Sequence, residues 1–307
     1  MCTPRLSILV VLLLLTAAHP CLATTIEDAR SAMQRHEYVL AAQLLKGLAE
    51  SGDAVAQYQL GLLHRYGIGV STSGAEAIKW FRLSADQENA EAQFALGQMY
   101  QKGEGTAQDY ENAMKWYLLA AKHGRQEASL NIGVLYLNGY GVKADVSEAV
   151  KWILPAAESG VVIAQDILGY IYQGGYGFPK KLEESLKWYR RAADQNDAEA
   201  QFNLGVLYAK GEGVRNDFKT AVEWFRRAAK QGMMQAQFSL GTMYANGQGT
   251  PRDDVRAYMW VHVASQAGDK SVQRYFSKIA KRMTSSQLSE AKKLAETCQL
   301  SRFIGCD

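Results

Sequence analysis

The chain has 307 residues, with 34 lysines and arginines against 31 aspartates and glutamates. A net charge of +3 is too small to argue for nucleic acid or an anionic membrane as a partner. With 48% apolar residues, a folded chain with a large total core is expected rather than a disordered one.

Arg5 precedes an apolar run from Leu6 to Ala18, and Cys21-Leu22-Ala23 ends in a small residue. That is the layout of a secretory signal peptide over residues 1–23, cleaved after Ala23, which predicts a periplasmic or secreted protein. The run is short for a transmembrane span, so no membrane span is expected after cleavage. An alternative is a lipoprotein acylated at Cys21, although Ala18-His19-Pro20 is a poor preceding sequence. Removing the segment takes away Arg5 alone among the charged residues and leaves a net charge of +2. Residues 24–53 then read as an N-terminal helical cap, with helices over Glu27–Arg35 and Glu37–Glu50.

From Ala54 onward the chain repeats itself. AQFALGQMYQKGEGT at Ala92 returns as AQFNLGVLYAKGEGV at Ala200 and AQFSLGTMYANGQGT at Ala236. Glycine recurs every 36 residues at 61, 97, 133, 169, 205 and 241, and so do all six tryptophans, at 80, 116, 152, 188, 224 and 260. Alanines from Ala56 and two further glycine columns from Gly67 and Gly69 keep the same register. Six registers without an insertion specify a solenoid.

Within one unit, Ala200, Leu204, Leu207 and Tyr208 have helical spacing up to about Lys210. Gly211-Glu212-Gly213 ends that helix, and Asn216 or Asp217 caps a second one running to about Lys230. Each unit is therefore a helix hairpin, and the fold class is all-α: a right-handed α-solenoid superhelix of six 36-residue hairpins between helical caps. Gly205, inside the first helix, costs about 1 kcal/mol relative to alanine. Close approach of the second helix, with Trp224 as the expected neighbour, would repay it. The pattern A-x-x-x-L-G-x-x-Y-x-x-G-x-G, followed by A-x-x-W and a double alanine, resembles the Sel-1-like repeat over residues 54–268. The resemblance implies a tetratricopeptide-like scaffold that binds a protein or peptide without catalysis. It leaves two other roles open: a secreted host-interaction factor, or a β-lactam-binding or hydrolysing protein like the cysteine-rich subgroup. That subgroup carries a cysteine pair in each repeat, and this chain does not.

The irregular units stand out. His64 replaces a column tyrosine, Pro155 falls within a second helix where it is expected to kink the chain, and the fourth turn reads GGYGFPKKL without its capping aspartate. Residues 269–307 form the C-terminal cap, with a helix over Ser271–Arg282 and a capping box at Thr284 that starts a last helix to about Cys298. Of the four cysteines, Cys298 and Cys306 survive signal removal. In an exported chain a disulfide between them is the natural reading, and two free thiols are the alternative.

No metal, cofactor or nucleophile motif is present; the histidines are scattered, and Ser289-x-x-Lys292 lacks the companion motifs of a serine hydrolase. No catalytic residue, cofactor or metal is assigned. A lysine column at 79, 115, 151 and 187 is balanced by nearby glutamates, as on a solvated helix face. The candidate binding surface is the variable side of each first helix, which lines the concave groove in tetratricopeptide-like arrays. It carries Leu62, Gln98, Val134, Tyr170, Val206 and Thr242, followed three residues on by Arg65, Gln101, Leu137, Gln173, Ala209 and Ala245. The column Tyr58, Phe94, Leu130, Phe202, Phe238 reads as packing between neighbouring units. Asp166 breaks it beside Tyr170, which makes the fourth unit the expected point of specificity.

Overall fold

The computed structural model describes residues 25–265, 270–303 and 305–306, so the expected signal peptide, with Cys2 and Cys21, lies outside the described residues. Among the described residues there are sixteen α-helices and no strand. They fall into two compact units, divided between Ala92 and Gln93.

The first unit holds α1 (Ile26–Gln34), α2 (Tyr38–Glu50), α3 (Ala54–Tyr66) and α4 (Gly74–Ala85). Its core gathers Ala42 and Leu45 of α2, Leu60 and Leu63 of α3, and Trp80 of α4. The division falls within α5 (Ala90–Lys102). The second unit continues with α6 (Tyr110–Lys122), α7 (Gln126–Asn138), α8 (Val146–Glu158), α9 (Val162–Gln173), α10 (Leu182–Asp194), α11 (Ala198–Lys210), α12 (Phe218–Lys230), α13 (Met234–Asn246) and α14 (Asp254–Ser265). It closes with α15 (Lys270–Ala280) and α16 (Ser285–Leu300). Each 36-residue unit is a hairpin, and the expected boundaries hold to within about three residues.

Local chemistry sets those boundaries. The Asp217 side chain accepts the Thr220 amide at 3.1 Å and starts α12; Asp109 and Asp145 do the same for α6 and α8. α11 ends at Gly211, whose φ of 71° is left-handed and lets its amide reach the Leu207 carbonyl. At the next turn glycine, Gly213, a side chain would press on Leu182 at the start of α10, so this residue is small for close packing as well as for its positive φ of 72°. In the fourth repeat Lys181, the residue before α10, makes no side-chain cap, as the lost aspartate predicts. The turn before it is a single 3₁₀ turn, Gly175–Gly177, with Tyr176 at φ 55°. α8 runs on through Pro155 to Glu158 without a break.

The helix-interior glycine faces a ring next to the expected one. A Cβ on Gly205 would stand 2.6 Å from the Phe225 ring; Phe225, not Trp224, is the neighbour that fills the space. The same holds for Gly97 against Tyr117, Gly169 against Tyr189 and Gly61 against Phe81. These partners are all buried, whereas the tryptophan column is mixed: Trp224, Trp116 and Trp152 are half-exposed, and Trp80, Trp188 and Trp260 are buried. The second helix is the one expected, but its innermost column is the residue after the tryptophan. Helical geometry explains this: one position is a 100° rotation, enough to move a side chain from the rim of the buried stripe to its centre.

The caps follow the sequence. Thr284 and Gln287 exchange hydrogen bonds with each other's backbone at the start of α16. Cys298 and Cys306 are bonded, with Cα atoms 5.1 Å apart, and the Phe303 amide turns back to the Cys298 carbonyl at 2.8 Å.

Candidate functional site

The variable face of the first helices is less open than the sequence suggests. In the second unit Leu137 and Ala245 are buried and present nothing to a partner. Gln98, Val134, Val206 and Thr242 are half-exposed, with Val134 and Val206 packed against neighbouring core clusters. Gln101 and Gln173 accept hydrogen bonds from the hydroxyls of Tyr117 and Tyr189, at 2.5 and 3.0 Å, so each caps a buried phenol. Leu62 and Arg65, on α3 of the first unit, are half-exposed as well. The aromatic column packs within a hairpin: Phe94 on Tyr117 and Phe202 on Phe225, each pair with ring centroids 5.7 Å apart. Phe238 also meets Tyr275 of the cap helix α15. Packing between neighbouring hairpins was expected; these ring pairs join the two helices of one hairpin or reach the cap, while Arg125 at the start of the next repeat's first helix stands over the Phe94 ring at 5.2 Å.

α9 is where this face concentrates. Asp166, Tyr170 and Gln173 follow one another at helical spacing on one side of it. Tyr170 is 49% exposed and Tyr176 is 47% exposed, and the two rings meet edge to face at 5.5 Å. Gly175 lies under the Tyr170 ring, where a Cβ would overlap it. Tyr170 and Gln173 line an open cleft of about 330 Å³ together with Lys180 and with Lys210 and Glu212 of the next hairpin.

Asp166 is mostly buried, and its Oδ1 has no hydrogen-bond partner. Burial pushes its carboxyl up to about 6; the charges of Asp197 and Glu199 push the same way, and a hydrogen bond from Asn203 opposes them. Burial also raises the Tyr189 phenol well above its usual range, with the Asp166 charge adding to it. A buried carboxylate facing like charges and short of a donor is costly for the fold.

The sequence reading missed one column, the buried glutamines Gln57, Gln93, Gln165, Gln201 and Gln237. Gln201 donates to the Ala193 carbonyl of the preceding hairpin at 3.2 Å and accepts from Gln231 of its own at 2.9 Å. The signal was present as the Ala-Gln pair that opens most repeats, but a polar residue beside an alanine column reads as surface unless its partner is known.

Among the described residues no group of three or more histidine, cysteine, aspartate or glutamate side chains could hold a metal ion, and no helix is long and apolar enough to cross a membrane. Ser289 and Lys292 lie exposed on α16. The lysine column is exposed, with Lys79, Lys151 and Lys187 within ion-pair distance of Glu76, Glu148 and Glu184.

The Sel1 repeat family model matches residues 54–89, 90–124, 126–161, 162–197, 198–233 and 235–269. The chain belongs to the Sel1-repeat family. Among solved structures, it is 29% identical to a protective antigen present in uropathogenic Escherichia coli strains that displays the SLR fold, with a TM-score of 0.79 over 91% of this chain. It spans 62% of the length of that antigen. It is 32% identical to a Sel1 repeat protein from Oxalobacter formigenes, with a TM-score of 0.68, over 79% of this chain and 100% of that one. A search of curated proteins found no match. Sel1 repeats mediate protein–protein interaction, and this α-solenoid is of the type that typically serves as a scaffold for it.

Proposed function

We propose that this Sel1-repeat protein is a non-enzymatic interaction scaffold of the cell envelope or secreted space, and that it holds a peptide or protein segment along the first-helix face of its second unit. The observation that carries the reading is the exposed Tyr170–Tyr176 pair above the cleft beside α9, with the undersatisfied Asp166 one turn away. Exposed aromatic pairs next to a concave surface are the usual anchors of a protein interface. The partner segment would place an apolar or planar group against the tyrosines and a hydrogen-bond donor or cation towards Asp166. Export rests on the N-terminal sequence, and the likeness to an antigen of uropathogenic Escherichia coli supports it.

The test is photo-cross-linking in intact source cells, with a photoreactive residue in place of Tyr170 and, as control, in place of Lys187 on the exposed face of the same repeat. A discrete partner captured at 170 and absent at 187 is the expected result. Equal capture at the two positions, or none, would overturn the assignment of this face. Fractionation of the same cells reads the location, and cytoplasmic recovery would refute export.

A further inference from the structure

His64 occupies the column that holds Tyr100, Tyr136, Tyr172, Tyr208 and Tyr244 in the other five repeats. Its backbone is equivalent to theirs. The His64 carbonyl accepts the Ser73 amide at 2.8 Å, as the Tyr208 and Tyr244 carbonyls accept those of Asp217 and Asp253 at 3.0 Å. In the fifth and sixth repeats the column hydroxyl is held by an arginine eighteen residues earlier: Arg190 donates to Tyr208, and Arg226 donates to Tyr244 at 2.9 Å. Eighteen residues before His64 stands Lys46. The first repeat thus keeps a cation in that column but lacks the phenol that such a cation holds in the fifth and sixth.

Beside His64 lies a cavity of about 590 Å³, wholly within the first unit, lined by Ala42 and Lys46 of α2, Leu60 of α3 and Trp80 of α4. Tyr244 is buried to 5% exposure in its own repeat, whereas His64 is half-exposed and its Nδ1 is buried without a hydrogen-bond partner. Among the described residues Lys46 has only a long ion pair to the exposed Glu50, at 3.8 Å, so its ammonium retains donors for another acceptor.

We infer that this cavity binds a phenol ring, which takes the place that other repeats fill with their own tyrosine. The ring packs against Leu60, Ala42 and Trp80, and its oxygen accepts from Lys46. Two sources supply this chemistry, a tyrosine side chain of a partner protein and a free small phenol. The site lies in a different unit from Tyr170 and stands independently of the function proposed for that face.

Calorimetric titration of the protein lacking residues 1–23 with p-cresol, toluene and the peptides Gly-Tyr-Gly and Gly-Leu-Gly tests the inference. p-Cresol is expected to bind at least tenfold more tightly than toluene, and Gly-Tyr-Gly more tightly than Gly-Leu-Gly. Tighter binding of the tyrosine peptide than of p-cresol identifies a partner side chain as the source; the reverse order identifies a free phenol. His64→Tyr supplies the missing ring from within and is expected to weaken p-cresol binding at least tenfold with no fall in melting temperature. Should that variant not fold, Lys46→Met reads the oxygen contact, and loss of the preference for p-cresol over toluene supports the site. Absence of p-cresol binding at millimolar concentration, or binding unchanged in a folded His64→Tyr protein, would overturn it.

Discussion

Gln231 donates to Gln201 at 2.9 Å, and Gln201 passes the chain on to the Ala193 carbonyl at the end of the preceding hairpin at 3.2 Å. The same relay runs from Gln195 through Gln165 to Ala157, and from Gln87 through Gln57 to Ala49. It answers a problem built into stacked hairpins: the last carbonyls of each second helix are covered by the next hairpin, where water cannot reach them. A long amide in the following helix supplies the donor, and a second amide satisfies its oxygen. The third repeat has Ser129 and Ser159 in these two columns, so the relay is interrupted there.

Gln201→Ala removes the bonds to Ala193 and Gln231, and a longer one to Asn196, from a fully buried position. A loss of about 2 kcal/mol is expected, within the range for buried groups left unpaired. Gln231→Ala should cost less, because Gln231 is exposed and water replaces its partner. Urea unfolding of both variants measures the difference, and equal effects would show that the relay is not what holds this junction.

The glycines give a prediction of opposite signs. Gly47 in α2 is exposed, and a Cβ there would meet nothing within 4 Å, so Gly47→Ala should stabilise by about 1 kcal/mol through helix propensity alone. Gly205→Ala gains the same propensity but drives a methyl group into the buried Phe225 ring, and overpacking costs about 1–3 kcal/mol. A net loss is expected at 205 and a gain at 47, both read from thermal unfolding. Gly205→Ala combined with Phe225→Leu should recover part of the loss, because the smaller side chain yields the space.

Hairpins, caps and boundaries were legible because each is encoded locally: Asp217 before its helix, Gly211 after one, Thr284 with Gln287 three residues on. The repeat period added register without needing contacts. What a single helix cannot reveal is which of two adjacent apolar positions turns inward, which is why Trp224 was expected where Phe225 packs. Polar positions were misread for a related reason. Gln173 and Gln101 look like free surface amides until the tyrosine sixteen residues later is placed beneath them. Asp166 and Tyr170 were legible as irregularities, but the cleft beside Tyr170 needed the altered fourth turn, whose geometry depends on Tyr176 adopting a positive φ.

The C-terminal tail depends on its disulfide. Cys298 and Cys306 are buried, and Phe303 between them lies within reach of Gly232 at the end of α12. A loop this short contributes about 2–3 kcal/mol on chain-entropy grounds, most of it confined to the tail. Reduction is therefore expected to release the tail without unfolding the repeats. Trypsin should cut after the exposed Arg302 at least tenfold faster in the reduced protein, while cleavage after Lys187 stays unchanged. Equal rates at Arg302 would show that packing rather than the bond holds the tail.

Asp166 ties stability to pH in an unusual direction. Its folded value, about 6, lies above the ordinary 3.8, so the folded protein holds a proton that the unfolded chain releases. Stability from this group is therefore greatest below about pH 4, falls as pH rises through 6, and is lowest above it. Asp166→Asn removes the charge, and should raise stability by about 1–3 kcal/mol at pH 8 and by nothing at pH 4. The same variant should weaken a partner that brings a cation to α9. A substitution that stabilises the protein while loosening its partner separates a recognition role from a structural one. Asp166→Asn that destabilises at pH 8 would mean instead that the carboxylate is satisfied by groups of the fold itself.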